Sequence, residues 1–165
     1  MDAAADPSVA QARAAADRLL KFRPRSEHEL RVRLRQKGFD APAIEAVVQS
    51  LARHDLLNDQ KFSQYYATGR LLSRPVGLRA LREELRRKGV SAETAAEAVT
   101  KAAVGYDELA AARALALRRR AQWRDLPREA VQRRLAGLLQ RRGFSGDIVY
   151  KVLRDVVTVH ETEDA

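Results

Sequence analysis

Leu81-Arg82-Glu83-Glu84-Leu85-Arg86-Arg87-Lys88-Gly89-Val90 lies near the middle of a 165-residue chain. It reads as one helix that stops. Leu78, Leu81 and Leu85 fall at i, i+3 and i+7 and share a face. Glu83 and Glu84 each precede a base, Arg87 and Lys88, by four residues, the favourable order for helical ion pairs. Bases fill the last turn, where they complement the helix dipole. Gly89 supplies a left-handed cap, and Val90 is placed to close over the end.

The same string occurs twice more. Leu30, Leu34, Lys37, Gly38 and Phe39 form one copy, and Leu135, Leu139, Arg142, Gly143 and Phe144 another. Counted from each glycine, Leu stands at −8 and −4, a base at −1 and an apolar residue at +1. The glycines are 51 and 54 residues apart, which predicts stacked helical units. The match continues through a second helix. Ile44, Val47, Val48 and Leu51 make an apolar stripe that recurs as Ala95, Ala98, Val99 and Ala102, then as Val149, Val152, Leu153 and Val156. Asp40, Ser91 and Ser145, two residues after the glycines, are its expected N-caps.

Other signals extend the frame. Pro7-Ser8 opens a helix to about Phe22, whose alanines favour helix but offer little to bury, leaving Leu19, Leu20 and Phe22 as its apolar end. Ser26 and Glu29 form a candidate capping box. Asn58 or Asp59 caps a further helix carrying Phe62, Tyr65, Tyr66 and Leu72 on one side. No alternation long enough for a sheet is present. The fold class expected is all-α, an elongated array of tandem three-helix repeats resembling helix-turn-helix units. Its expected divisions are a disordered N-terminus (1–6), a leading helix (7–25), three-helix repeats over 26–74 and 75–124, a two-helix repeat over 125–158, and an acidic tail (159–165). The alanine-rich stripe of the second repeat implies close packing or lower stability there.

Composition narrows the function. The chain is 45% hydrophobic but only 5% aromatic, so Leu, Val and Ala must fill the core. It has no cysteine, which excludes thiolate catalysis and zinc–thiolate sites. There is no signal-peptide pattern and no apolar run of membrane-spanning length, so a cytoplasmic protein without a membrane partner is expected. His28, His54 and His160 share no ligand spacing, no glycine-rich phosphate loop appears, and the acids sit mainly beside bases. Neither an enzyme nor a cofactor or metal site is expected.

The net charge is +9. It points to nucleic acid or an acidic protein groove, although a solvated basic surface fits too. Residues 113–142 carry ten arginines against Asp125 and Glu129, residues 70–88 seven bases against Glu83 and Glu84, and residues 23–37 six bases against two acids. The charge thus recurs at and before the first helix of each repeat. Arg82 and Arg86, four apart, face away from the leucines, and Arg31 with Arg35 repeats them. Such rows match phosphates or acidic side chains spaced along a filament, or simply solubilise a helix face. Phe62, Tyr65, Tyr66 and Trp123 could stack on bases, but their helical spacing favours helix–helix contact. No helix is marked as a base reader, and the spread of arginines favours non-specific backbone contact.

Arg25-Ser26-Glu27-His28-Glu29-Leu30, Leu34-Arg35-Gln36-Lys37-Gly38-Phe39, Leu51, Leu57-Asn58-Asp59, Phe62, Tyr66, Arg70, Gly77 and Glu84 through Val90 closely resemble the RecX regulatory proteins of bacteria. Arg141-Arg142-Gly143-Phe144, Ile148 and Val152-Leu153 fit the same family. The resemblance runs from about residue 10 to 157. Two features depart from it: Asn58-Asp59 stands where an acidic pair is usual, and the second repeat's inner helix is poor in large aliphatics. The resemblance implies modular three-helix repeats that bind the RecA recombinase. They lodge in the groove of the RecA–DNA filament or block its growing end, and so reduce ATP hydrolysis, strand exchange and coprotease activity. Partners expected are the RecA filament and non-specific DNA, single- or double-stranded, with the chain itself a monomer. The candidate contact residues are Arg31, Arg35, Arg79, Arg82, Arg86, Arg118, Arg119, Arg133 and Arg134, all with electrostatic roles. The alternative is a stand-alone nucleic-acid-binding protein, and a third reading is a helical adaptor for another acidic protein.

Overall fold

The structure, a computed structural model, describes residues 7–158; the terminal segments 1–6 and 159–165, expected to be disordered or frayed, lie outside the described residues. The described residues form helices and turns with no strand. In chain order the helices are α1 (Pro7–Phe22), α2 (Glu27–Gln36), α3 (Ala41–Arg53), α4 (Asp59–Ser73), α5 (Leu78–Arg87), α6 (Ala92–Ala102), α7 (Glu108–Ala121), α8 (Arg128–Arg141) and α9 (Gly146–Thr158).

The repeated string is a repeated helix ending. Gly38, Gly89 and Gly143 have φ of 90°, 83° and 78°, a region that costs any other residue. At each, the apolar residue after the glycine donates its N–H back five residues: Phe39 to Leu34 O, Val90 to Leu85 O and Phe144 to Leu139 O, at 3.2–3.3 Å. The glycine N–H closes the inner bond, to Arg35 O, Arg86 O and Gln140 O, at 2.9–3.0 Å. This is the Schellman geometry, in which the apolar residue covers the leucine one turn back. All six leucines of the string are fully buried.

The next helices start as expected. Asp40 Oδ1 accepts from Ala43 N at 3.0 Å, Ser91 Oγ from Thr94 N at 3.1 Å and Ser145 Oγ from Ile148 N at 3.4 Å. Their stripes are buried, with Ala102 and Leu153 only partly so.

The described residues group into two compact units. One runs to Tyr66 and takes in Leu85–Ala98; the other comprises Ala67–Glu84 and the chain from Val99 on. In the first, α1, α2 and α3 close around Ala12, Ala15, Ala16, Leu30, Leu34, Ile44, Val47, Val48 and Leu51. In the second, α7, α8 and α9 close around Ala112, Leu115, Ala116, Leu135, Leu139, Phe144, Val149, Val152 and Val156.

Several expectations change. In α1 the alanines are the buried face, because a small side chain lets helix backbones approach, while Phe22 is 89% exposed. On α4 only Phe62 is buried among the expected apolar side; Tyr65 and Leu72 face solvent. Lys88 does not pair with Glu84 along α5. It reaches Glu29, and Glu84 takes Arg70. Ser26 Oγ accepts from Glu29 N at 3.0 Å, but the Glu29 carboxylate turns to Arg23 and Lys88 instead of completing the box. Asn58 caps α4 through Lys61 N, freeing Asp59 to accept from Glu27 N at 2.9 Å and hold the start of α2.

Candidate partner and nucleic-acid interface

The second unit gathers cations that the sequence disperses. Arg142, at the end of α8, donates from Nη1 to Pro75 O at 3.1 Å, and its own carbonyl accepts from Gly77 N at 2.8 Å. This pins the end of α8 against the turn between α4 and α5. Burial and the neighbouring Arg74, Arg70, Arg119 and Arg118 push the Arg142 guanidinium below its ordinary value. It remains charged, as arginine does in proteins. Arg70 is held by Glu84 in a two-pronged pair at 2.7 and 2.9 Å. The rest of the group presents excess positive charge, and like charges held together favour an anion that relieves their repulsion.

Elsewhere in this unit, Arg119 Nη1 donates to Gln122 at 2.9 Å, and the Arg134 guanidinium lies 5.7 Å from the centre of the Trp123 ring. Arg79, Arg82, Arg118, Arg133 and Arg134 are exposed.

The first unit is more self-neutralised. Arg31 bonds Glu45 at 2.9 and 3.3 Å and Glu27 at 3.0 Å, and the Glu45 bond chiefly raises its pKa. Arg31 therefore does not repeat the situation of Arg35, which stands exposed one turn on. Arg86 is also exposed. Burial opposes ionisation of Glu29, but hydrogen bonds from Arg23 and Lys88 outweigh it and hold the carboxyl down at about 2. A groove in this unit is lined by Pro24, Arg25, Leu56, Lys61 and Tyr65, with Leu56 and Tyr65 mostly exposed. Asp55 also lines it and pairs with Lys61, so Arg25 is the groove's one cation without an acidic partner among the described residues.

The sequence models of the RecX first, second and third three-helix domains match residues 12–51, 58–99 and 106–153 in turn. The chain belongs to the RecX family. These matches frame it as α1–α3, α4–α6 and α7–α9. The repeat read from the glycines uses the same helices and cuts them one helix later.

Among RecX relatives, the regulatory protein RecX of Thermobifida fusca is 35% identical over 161 residues, covering 98% of this chain and 86% of that protein. The regulatory protein RecX of Mycobacterium sp. (strain KMS) is 38% identical over 152 residues, covering 90% and 81%. The crystal structure of RecX from Lactobacillus salivarius shares the fold with a TM-score of 0.72 at 20% identity, over 90% of this chain and 96% of that one.

Within this RecX frame, reading the sequence picked out Arg118 and Arg119 but missed Arg70, Arg74 and Arg142 beside them. A base at −1 from each glycine was visible at Arg142, but not its reach to Pro75, 67 residues away. Among the described residues no group of three or more His, Asp or Glu side chains could hold a metal ion, and no helix is long and apolar enough to cross a membrane.

Proposed function

We propose that this RecX-family chain is a non-enzymatic regulator that binds the RecA filament and lowers its ATP hydrolysis, strand exchange and coprotease activity. It would thereby modulate recombination and DNA repair from the cytoplasm, acting as a monomer. The support is the family membership, the regulatory name its relatives carry, and one physical observation. Exposed cations stand at one corresponding place in two repeats, Arg35 and Arg86, each three residues before its cap glycine, and Arg82 is exposed one turn before Arg86. A polymeric partner with regularly spaced acids is the natural complement of such a pattern. The proposed contacts are Arg35, Arg79, Arg82, Arg86, Arg118, Arg119, Arg133 and Arg134. Arg31 joins them only if a partner's acid displaces Glu27 or Glu45.

Co-sedimentation with preformed RecA filaments tests this. The chain should pellet with the filaments, and Arg79→Glu, Arg82→Glu and Arg86→Glu together should weaken it. A chain that stays in the supernatant at stoichiometric RecA would end the reading.

The arginine group around Pro75 favours a second reading, direct binding to nucleic-acid phosphates. Binding to an oligonucleotide without RecA should then fall steeply with salt, each phosphate contact adding about 0.7–0.9 to the log–log slope. Arg74→Glu with Arg118→Glu should flatten that slope. An unchanged slope would remove this group from the interface.

A further inference from the structure

The first unit carries a groove that none of the arginines proposed above as contacts lines. It lies between the end of α1, the turn after α3 and the first half of α4, with a volume of about 340 Å³. Leu20, Leu57 and Phe62 form its apolar wall, the last two buried. Leu56 and Tyr65, 59% and 66% exposed, stand at its mouth. Leu56 is out of pattern. Asp55 takes a φ of 56° and the Leu56 N–H donates to Leu51 O at 2.9 Å, so α3 ends as the glycine-capped helices do. At two of those endings the residue after the cap, Val90 or Phe144, is buried; here Leu57 takes the buried place and Leu56 is left outside.

Arg25 supplies a second, independent observation. Its Nε donates to Leu19 O at 3.3 Å, but Nη1 is shut away from water and has no hydrogen-bond partner among the described residues. Glu29 attracts the guanidinium, yet its carboxylate is held by Arg23 and Lys88. A charged donor in this state is costly until an acceptor reaches it. The side chain as a whole is half-buried and lines the groove, so a small turn of the guanidinium presents its fork to a carboxylate there. Lys61 adds no second unanswered cation, because Asp55 holds it. The groove thus offers one positive charge beside apolar surface. A phosphate chain finds no row of cations along it.

We propose that this groove docks an acidic segment of a partner protein, one Asp or Glu side chain pairing with Arg25 and a neighbouring large apolar side chain packing against Leu56, Phe62 and Tyr65. The carboxylate supplies the acceptor that Nη1 lacks. The apolar residue covers the two side chains exposed at the mouth, as an anchor does at the centre of an interface. The groove shares no residue with the contacts proposed above, so either reading can fail without the other.

NMR of the full chain, titrated with a capped tripeptide of leucine, aspartate and phenylalanine up to millimolar concentration, tests this. The Arg25 Nε–H signal and the Leu56, Leu57 and Tyr65 signals should shift together and saturate. The asparagine counterpart of the peptide should bind about tenfold more weakly, the scale of a hydrogen bond to a charged group. Arg25→Gln should erase that preference and leave the two peptides equal. Tyr65→Ala, at an exposed position, should weaken both alike with helical circular dichroism unchanged, which keeps the test decisive if Arg25→Gln disturbs the fold. Equal binding of the two peptides by the parent chain, or a titration that leaves these signals unmoved, would overturn the proposal. So would the same signals moving with an oligothymidylate and not with the peptide, since the groove would then take nucleic acid. Signals that move on dilution of the free chain alongside a dimer in sedimentation would overturn it too, the occupant then being a second copy.

Discussion

The Lys88 ammonium sits 2.8 Å from the Glu29 carboxylate, across 59 residues of chain. Three further contacts meet there. Ser26 Oγ donates to the Lys88 carbonyl, Lys88 Nζ lies 4.9 Å from the centre of the Tyr66 ring, and the His28 side chain lies against Gly89. The start of α2 is therefore fastened to the ending of α5. A corresponding junction occurs in the other unit, where Gly77 N meets Arg142 O and Ala80 lies against Gly143. The repeated helix ending serves as a socket for the start of another helix.

The first prediction concerns the Glu29 carboxyl, held down at about 2 from an ordinary 4.5. A depressed carboxylate stabilises the fold above its unfolded value and loses that contribution as pH falls toward the folded one. The window is therefore between about 4.5 and about 2. Partial exposure and solvent screening reduce the contribution to about 1–2 kcal/mol. Urea melts of the parent chain and Glu29→Gln should differ by that amount at pH 7 and converge near pH 2. A difference that persists at the acid end would assign the effect to packing.

The glycines should not be equivalent. An added Cβ at Gly38 would meet nothing within 4 Å, but at Gly89 it would lie 2.1 Å from His28 Cβ. Gly38→Ala should cost about 1–2 kcal/mol, the conformational term alone. Gly89→Ala should cost that plus an overpacking term of about 1–3 kcal/mol. Equal midpoints in denaturant would show that the socket yields freely.

Helix α1 supplies a counter-intuitive case. Leucine is nearly as good a helix former as alanine, yet Ala16 is fully buried in the α1–α3 core. Ala16→Leu should destabilise by about 1–3 kcal/mol through overpacking. Ala14→Leu, at an exposed position on the same helix, should be close to neutral. Thermal melts of the two variants check the contrast.

These cases show which parts of the fold could be read from the residues. The leucine pairs, cap glycines and Asp40, Ser91 and Ser145 were legible because each acts within one or two turns. Burial of Ala12, Ala15 and Ala16 was not, since small residues mark close packing only when the neighbouring helix is known. Phe22, Tyr65 and Leu72 misled for the converse reason: an apolar side chain permits burial without requiring it. The pairing of Asp59 with α2, and the grouping of Arg70, Arg74, Arg118, Arg119 and Arg142, join residues tens of positions apart, where no local pattern reports.

Arg31 separates structural from interfacial charge. Its guanidinium is held by Glu27 and Glu45, so Arg31→Ala should lower stability by up to about 1 kcal/mol, as partly exposed ion pairs do. Its effect on RecA inhibition should be smaller than that of Arg35→Ala. The reverse order in an ATPase assay would place Arg31 in the contact.

The most direct measurement is ATP hydrolysis by preformed RecA filaments titrated with this chain at two ionic strengths. Hydrolysis should fall as the chain is added and fall less at the higher salt, and Arg79→Glu with Arg82→Glu and Arg86→Glu should blunt the effect. A hydrolysis rate unmoved by a stoichiometric excess of the folded chain would contradict the account.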